Sequence, residues 1–143
     1  MKRVRLMEFL LMGGLLVFVF SSFLNRPLLP SDEIIERKYC TEIGRFDLLF
    51  YEKEVSGIYA LLPKKSLGAV HGTLDGKVLT GRWIDADGGG DIIITFNEDY
   101  TWFTTDYRND EDPGKWYRDQ WHGALRETDE TSFEKDGEKY QCE

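Results

Sequence analysis

Two histidines and two cysteines are all that this 143-residue sequence offers as nitrogen or sulfur metal ligands or for thiol chemistry. Neither Cys40 nor Cys142 has a second Cys or His at ligand spacing, which excludes a structural zinc site. His71 and His122 fare no better as general bases, because that role needs an acid or nucleophile held within hydrogen-bond reach. Asp119 lies three residues from His122, a spacing that puts two strand side chains on opposite faces, and Asp75, four from His71, shares its face but sits about 13 Å along the strand. A Gly-x-Ser-x-Gly elbow, a Walker loop and a dinucleotide fingerprint are all missing. The chain therefore reads as a non-enzyme. Basic clusters are scarce as well: Lys64-Lys65 is too short to make a patch, and the formal net charge is −8. Four basic residues (Lys2, Arg3, Arg5, Arg26) but only one acid (Glu8) fall in the first 30 positions, so the remainder is more acidic still. Such a surface repels phosphate backbones, which excludes nucleic acid and favours a basic protein or a cation.

One long apolar run breaks this polar composition. After Lys2, Arg3 and Arg5, Phe9 to Leu24 carries no charge, and Arg26 and Pro27 end it. A basic segment followed by an apolar one is an export signature. Sixteen helical residues rise about 24 Å against a hydrocarbon core of about 30 Å, so the length permits either an uncleaved anchor or a removed signal peptide. Val19-Phe20-Ser21 meets the small-residue rule for cleavage only loosely, and Phe23 and Leu24 prolong the run beyond it. No cysteine follows the run, as a lipoprotein anchor would require. The excess of basic residues before it puts the N-terminus in the cytoplasm. The expectation is residues 1–26 as membrane anchor or signal peptide, 27–43 as linker and 44–143 as a β-domain. The domain would then lie on the periplasmic side of a bacterial inner membrane, with 9–24 in the lipid bilayer.

Cysteine placement suits an exported domain. Cys40 and Cys142 bracket the β-domain, and they read either as one disulfide joining its ends or as two unpaired thiols. Within the linker, Ser31, Asp32 and Glu33 are able to cap a short helix through Lys38.

From Gly44 onward the signals are those of strands, expected near 46–52, 55–62, 68–74, 77–84, 91–96, 101–107 and 116–125, with a weaker eighth near 138–142. Asp75-Gly76 predicts a two-residue hairpin turn, and Gly88-Gly89-Gly90, Asn97-Glu98-Asp99 and the stretch from Asn109 to Gly114 mark other turns. Phe46, Leu48 and Phe50 alternate, as do Phe103, Thr105 and Tyr107. Short connections and the lack of a crossover helix imply antiparallel neighbours. An all-β meander of seven to eight strands follows, either closed as a small barrel or folded over as two sheets.

A Gly-x-aromatic spacing recurs at Gly57-Ile58-Tyr59 and Gly81-Arg82-Trp83 and reverses at Trp121-His122-Gly123. Residues two apart share a strand face, so each glycine clears room beside its aromatic partner. With Gly72-Thr73-Leu74 and Leu79-Thr80-Gly81-Arg82-Trp83, this stretch resembles a class of bacterial exported β-meander domains with repeated Gly-x-Trp/Tyr motifs. Its layout is similar to that of avidin-like and lipocalin-like barrels. The resemblance implies a fold; it carries over no ligand-binding residues.

Two loops are candidates for function. Asp85, Asp87 and Asp91 surround a glycine run and supply oxygen ligands suited to Ca²⁺, although the spacing departs from the EF-hand; no other cofactor is expected. Asp110, Glu111 and Asp112 form an acidic tip, followed by Trp116, Tyr117 and Arg118, residue types common in interface hot spots. These six are the expected partner-binding residues, against the simpler reading of a solvated loop and a strand with two faces. The function expected is that of a membrane-anchored accessory subunit of a larger photosynthetic or respiratory complex, meeting the other subunits through its helix and its β-domain. A secreted barrel that binds a small apolar ligand is the alternative.

Overall fold

The computed structural model describes residues 33–62, 66–126 and 132–142. The expected anchor at 9–24 lies outside them. Eight antiparallel strands follow one another around a closed barrel: β1 (Ile35–Thr41), β2 (Gly44–Tyr51), β3 (Glu54–Leu61), β4 (Ser66–Asp75), β5 (Val78–Asp85), β6 (Gly88–Phe96), β7 (Trp102–Asn109) and β8 (Tyr117–Leu125). β1 closes on β8 through Tyr39 opposite Leu125, Cys40 opposite Ala124 and Thr41 opposite Gly123. A separate hairpin, β9 (Ser132–Lys135) with β10 (Glu138–Gln141), follows. Of the two architectures open to the sequence, the molecule takes the barrel.

Several expectations are corrected. The segment 27–43 is not all linker, and no helix runs through Lys38: Ile35–Thr41 is a barrel strand. Its polar run Glu36-Arg37-Lys38 hides the alternation that puts Tyr39 and Thr41 inside, opposite Phe46 and Gly44. The strand expected near 138–142 is β10, which lies in the hairpin outside the barrel. The two-residue connection after β4 is also shifted by one position, to Gly76-Lys77, since Asp75 pairs with Val78.

Register explains the Gly-x-aromatic spacing. Tyr59, Trp83 and Trp121 point inward together with Gly57, Gly81 and Gly123, level with Leu48, Gly72 and Phe103 on the neighbouring strands. Gly72 and Gly81 face each other so closely that a Cβ on Gly72 would lie 2.6 Å from the Gly81 Cα. Removing two Cβ atoms here lets the wall bend tightly, and the space goes to large rings. The core is Tyr39, Phe46, Leu48, Phe50, Val55, Tyr59, Val70, Leu79, Ile92, Ile94, Phe96 and Phe103, each giving about 1.5–3 kcal/mol on full burial if large and apolar. Cys40 and Cys142 form a disulfide, with their Cα atoms 5.2 Å apart, in a second buried cluster with Trp102 and Ala124 on the outer side of the wall.

The barrel ends differ. At the end with the β2–β3, β4–β5 and β6–β7 turns, Tyr100 closes the interior. Its ring packs on Phe50 and Phe96, its hydroxyl donates to the Gly76 carbonyl at 2.8 Å, and its own carbonyl accepts from the Tyr39 hydroxyl at 2.9 Å. Burial pushes the Tyr39 phenol up to about 12, with Arg37 opposing the shift. A phenol raised above its unfolded value of about 10 contributes stability that is complete below pH 10 and lost as pH rises through 12. Base titration by tyrosinate absorbance and circular dichroism should therefore show unfolding stability falling between those values. Tyr39→Phe should lessen that slope.

Candidate functional site

At the opposite end, half-buried rings line the interior. Tyr107 is sandwiched between Tyr117 (5.0 Å between centroids) and Trp121 (4.8 Å), and Trp83 meets its edge at 6.1 Å. Beneath them Phe46 stacks on the buried Tyr59 at 5.1 Å. The Tyr59 hydroxyl donates to Asp85 Oδ2 at 2.9 Å, and the Trp83 indole donates to the Arg108 carbonyl at 3.2 Å. Burial, reinforced by the Asp85 carboxylate, pushes the Tyr59 phenol upward, so it remains a donor through the neutral range.

Outside the wall of β5 to β8 lies a ladder of alternating charges. Arg82 reaches Asp91 at 2.9 Å and Asp110 through two bonds of 2.8 and 2.5 Å; Arg108 also holds Asp91, and Arg118 holds Asp106 at 2.6 Å. The Arg82 guanidinium, followed by that of Arg108, keeps the Asp91 carboxyl below the usual range, and Arg82 does the same for Asp110. Arg108 and Arg118 each stand 5.0 Å from the Trp116 ring, and Lys115 stands 4.6 Å from that of Tyr117.

The expected partner-binding residues are thus divided. Asp110 is committed to Arg82, Arg118 to Asp106, Trp116 to two guanidiniums and Tyr117 to the interior stack. Glu111 and Asp112 are exposed, with no ion-pair partner among the described residues. The expected calcium ligands do not converge either. Asp91 faces outward to its two arginines, whereas Asp85 faces inward to Tyr59 and also accepts the Asp87 amide at 2.8 Å. Among the described residues no group of three or more His, Cys, Asp or Glu side chains is placed to hold a metal.

Sequence reasoning missed two features. The first surrounds His122, whose Nδ1 lies 2.6 Å from Glu42 Oε1 and whose Nε2 lies 2.8 Å from Asp119 Oδ1; its amide donates to Glu42 Oε2 at 2.7 Å. Asp119 reaches the ring despite its spacing of three because β8 bulges there. Thr105 pairs with Trp121 and Tyr107 with Tyr117, leaving extra residues between, and Asp119 sits at φ 51°. Glu42 arrives from the β1–β2 turn, 80 residues away. The cluster clamps that turn onto β8. His122→Ala should cost about 2 kcal/mol by removing the ring that Glu42, 16% exposed at its side chain, hydrogen-bonds, read by urea unfolding, with Glu42→Gln milder.

The second is an apolar area on the outer wall. Ile58 stands opposite Ala69, Ala69 opposite Ile84, and Ala60 opposite Leu67, all outward on β3, β4 and β5. Ile58, Leu67 and Ile84 are 48%, 65% and 64% exposed, far more than solvated strands ordinarily leave large aliphatic groups in one patch. Period-two reading found the inner face of these strands, and the same reading applied to the other face would have found this one.

Comparison of the chain with family models, with curated proteins and with solved structures finds no match.

Proposed function

We propose that this chain is a non-catalytic, membrane-anchored accessory subunit whose β-barrel lies on the extracytoplasmic side and binds partner subunits of a larger membrane complex. The observation that carries this reading is the exposed apolar wall of Ile58, Leu67, Ala69 and Ile84. The closed barrel has no free strand edge of its own to offer a partner, which favours contact through its outer face. An apolar patch rimmed by polar residues on a small domain is what a docking face requires. The basic segment and apolar run before the domain support the membrane attachment. Pull-down from native membranes followed by mass spectrometry tests both parts, with partner subunits and peptides from residues 1–26 expected together. Recovery as a lone monomer from native membranes would overturn the proposal.

A second reading has its own observation: Trp83, Tyr107, Tyr117 and Trp121 are only partly buried at one barrel end, where other barrels admit small apolar ligands. Titration with laurate followed by tryptophan fluorescence tests it. Saturable quenching, lost in Trp83→Leu, would favour this reading, and its absence would remove it.

A further inference from the structure

The apolar wall is not surrounded evenly by charge, and the asymmetry says what kind of surface fits it. On its β2 flank Arg45 is paired with Asp47 at 3.7 Å, leaving that side close to neutral. On its β6 flank the outward position opposite Ile84 is Gly89. A Cβ there would lie 3.8 Å from Ile84 Cγ1 and 3.5 Å from Asp110 Oδ2, so the apolar strip and the acidic β7–β8 loop are immediate neighbours. The Asp110 amide donates to the Gly89 carbonyl at 2.9 Å and fixes the loop in this place. Beyond Ile84 the β5–β6 turn adds Asp87. Arg82, two positions from Ile84 on the same face, is already taken up by Asp91 and Asp110. The exposed side chains of Asp87, Glu111 and Asp112 have no ion-pair partner among the described residues.

From this arrangement we infer that the wall seats a basic amphipathic segment of a partner protein. Its apolar side chains would lie on Ile58, Leu67, Ala69 and Ile84, and its Lys or Arg side chains would reach Asp87, Glu111 and Asp112. The inference rests on the accessory-subunit reading and supplies the chemistry of its partner. Desolvation of Leu67 and Ile84, the two most exposed large side chains of the wall, gives the affinity, and the acids at one edge set orientation and association rate. A second copy of this chain is opposed by its own net charge of −8, and an anionic lipid surface by the same carboxylates.

The test uses the full chain in detergent, with two synthetic amphipathic helical peptides as probes, one of Leu and Lys and one of Leu and Glu, followed by fluorescence anisotropy. The Leu/Lys peptide should bind and the Leu/Glu peptide should not. Leu67→Ser with Ile84→Ser, which leaves charge unaltered, should weaken binding by about tenfold or more. Glu111→Gln with Asp112→Asn should weaken it too and flatten its salt dependence. Near-ultraviolet circular dichroism reports whether each variant keeps its barrel, and Ile58→Thr serves as an independent second probe of the wall. Equal binding of both peptides, or serine variants that bind like the wild type, would overturn the inference. So would light scattering showing a dimer that the serine variants abolish, or binding to phosphatidylcholine vesicles that they alone lose. If the serine variants still recover partner subunits from native membranes, the wall is wrong and the accessory role stands; if the wild type recovers none, the role itself is wrong.

Discussion

Reducing the Cys40–Cys142 disulfide should lower the unfolding free energy by up to about 4.7 kcal/mol, the loop-closure entropy expected for a ring of about 100 residues. The cross-link spans 102 positions, almost the whole barrel, so it restricts nearly every conformation of the unfolded chain. The native state loses packing as well, because both cysteines are 2% exposed and share a cluster with Trp102 and Ala124. Urea unfolding with and without reductant, and of Cys40→Ser with Cys142→Ser, measures the effect. A midpoint that does not move would show that the cross-link restrains neither state.

Gly81→Val should be a severely damaging substitution in the wall, costing about 3 kcal/mol or abolishing the fold. A Cβ at this position would lie 2.7 Å from the Gly72 Cα and close against the His71 carbonyl, both backbone atoms that cannot rotate away. Relief requires β4 and β5 to separate, which breaks the eight-residue ladder between them. Gly114→Val is the control, since nothing lies within 4 Å of a Cβ there, and it should unfold within about 0.5 kcal/mol of the wild type. Thermal melts of the two variants side by side give the comparison. Similar melting temperatures would contradict the close approach of β4 and β5.

How much of this was legible in the sequence depends on whether the signal was local. The inner faces of β2 to β8 were readable from alternation at Phe46, Leu48 and Phe50 and from the glycine–aromatic pairs, because two-residue periodicity is a property of the strand itself. β1 was not, since three consecutive charged residues occupy its middle and its strand character comes from pairing on both sides with β2 and β8. The calcium assignment took Asp85, Asp87 and Asp91 as converging around the glycine run; Asp91 pairs across β5 and β6 with Arg82, three positions from Asp85, so Asp85 turns inward and Asp91 outward. The clamp on His122 needed both a bulge and a residue 80 positions away, neither of which spacing rules encode.

Closure of the barrel has an uneven distribution. Between β1 and β8 three residue pairs hold the sheet shut, whereas the β3–β4 and β4–β5 ladders each contain eight. The wall is therefore a rolled sheet with one short zip, and the native state should unroll there first, with amide protons of Tyr39 to Thr41 and Gly123 to Leu125 exchanging through a lower-energy opening than those of β4 and β5. Cys40 occupies the middle tooth of that zip, and its bond to Cys142 buries the pair against Ala124 of β8, so the cross-link braces the seam by packing across it.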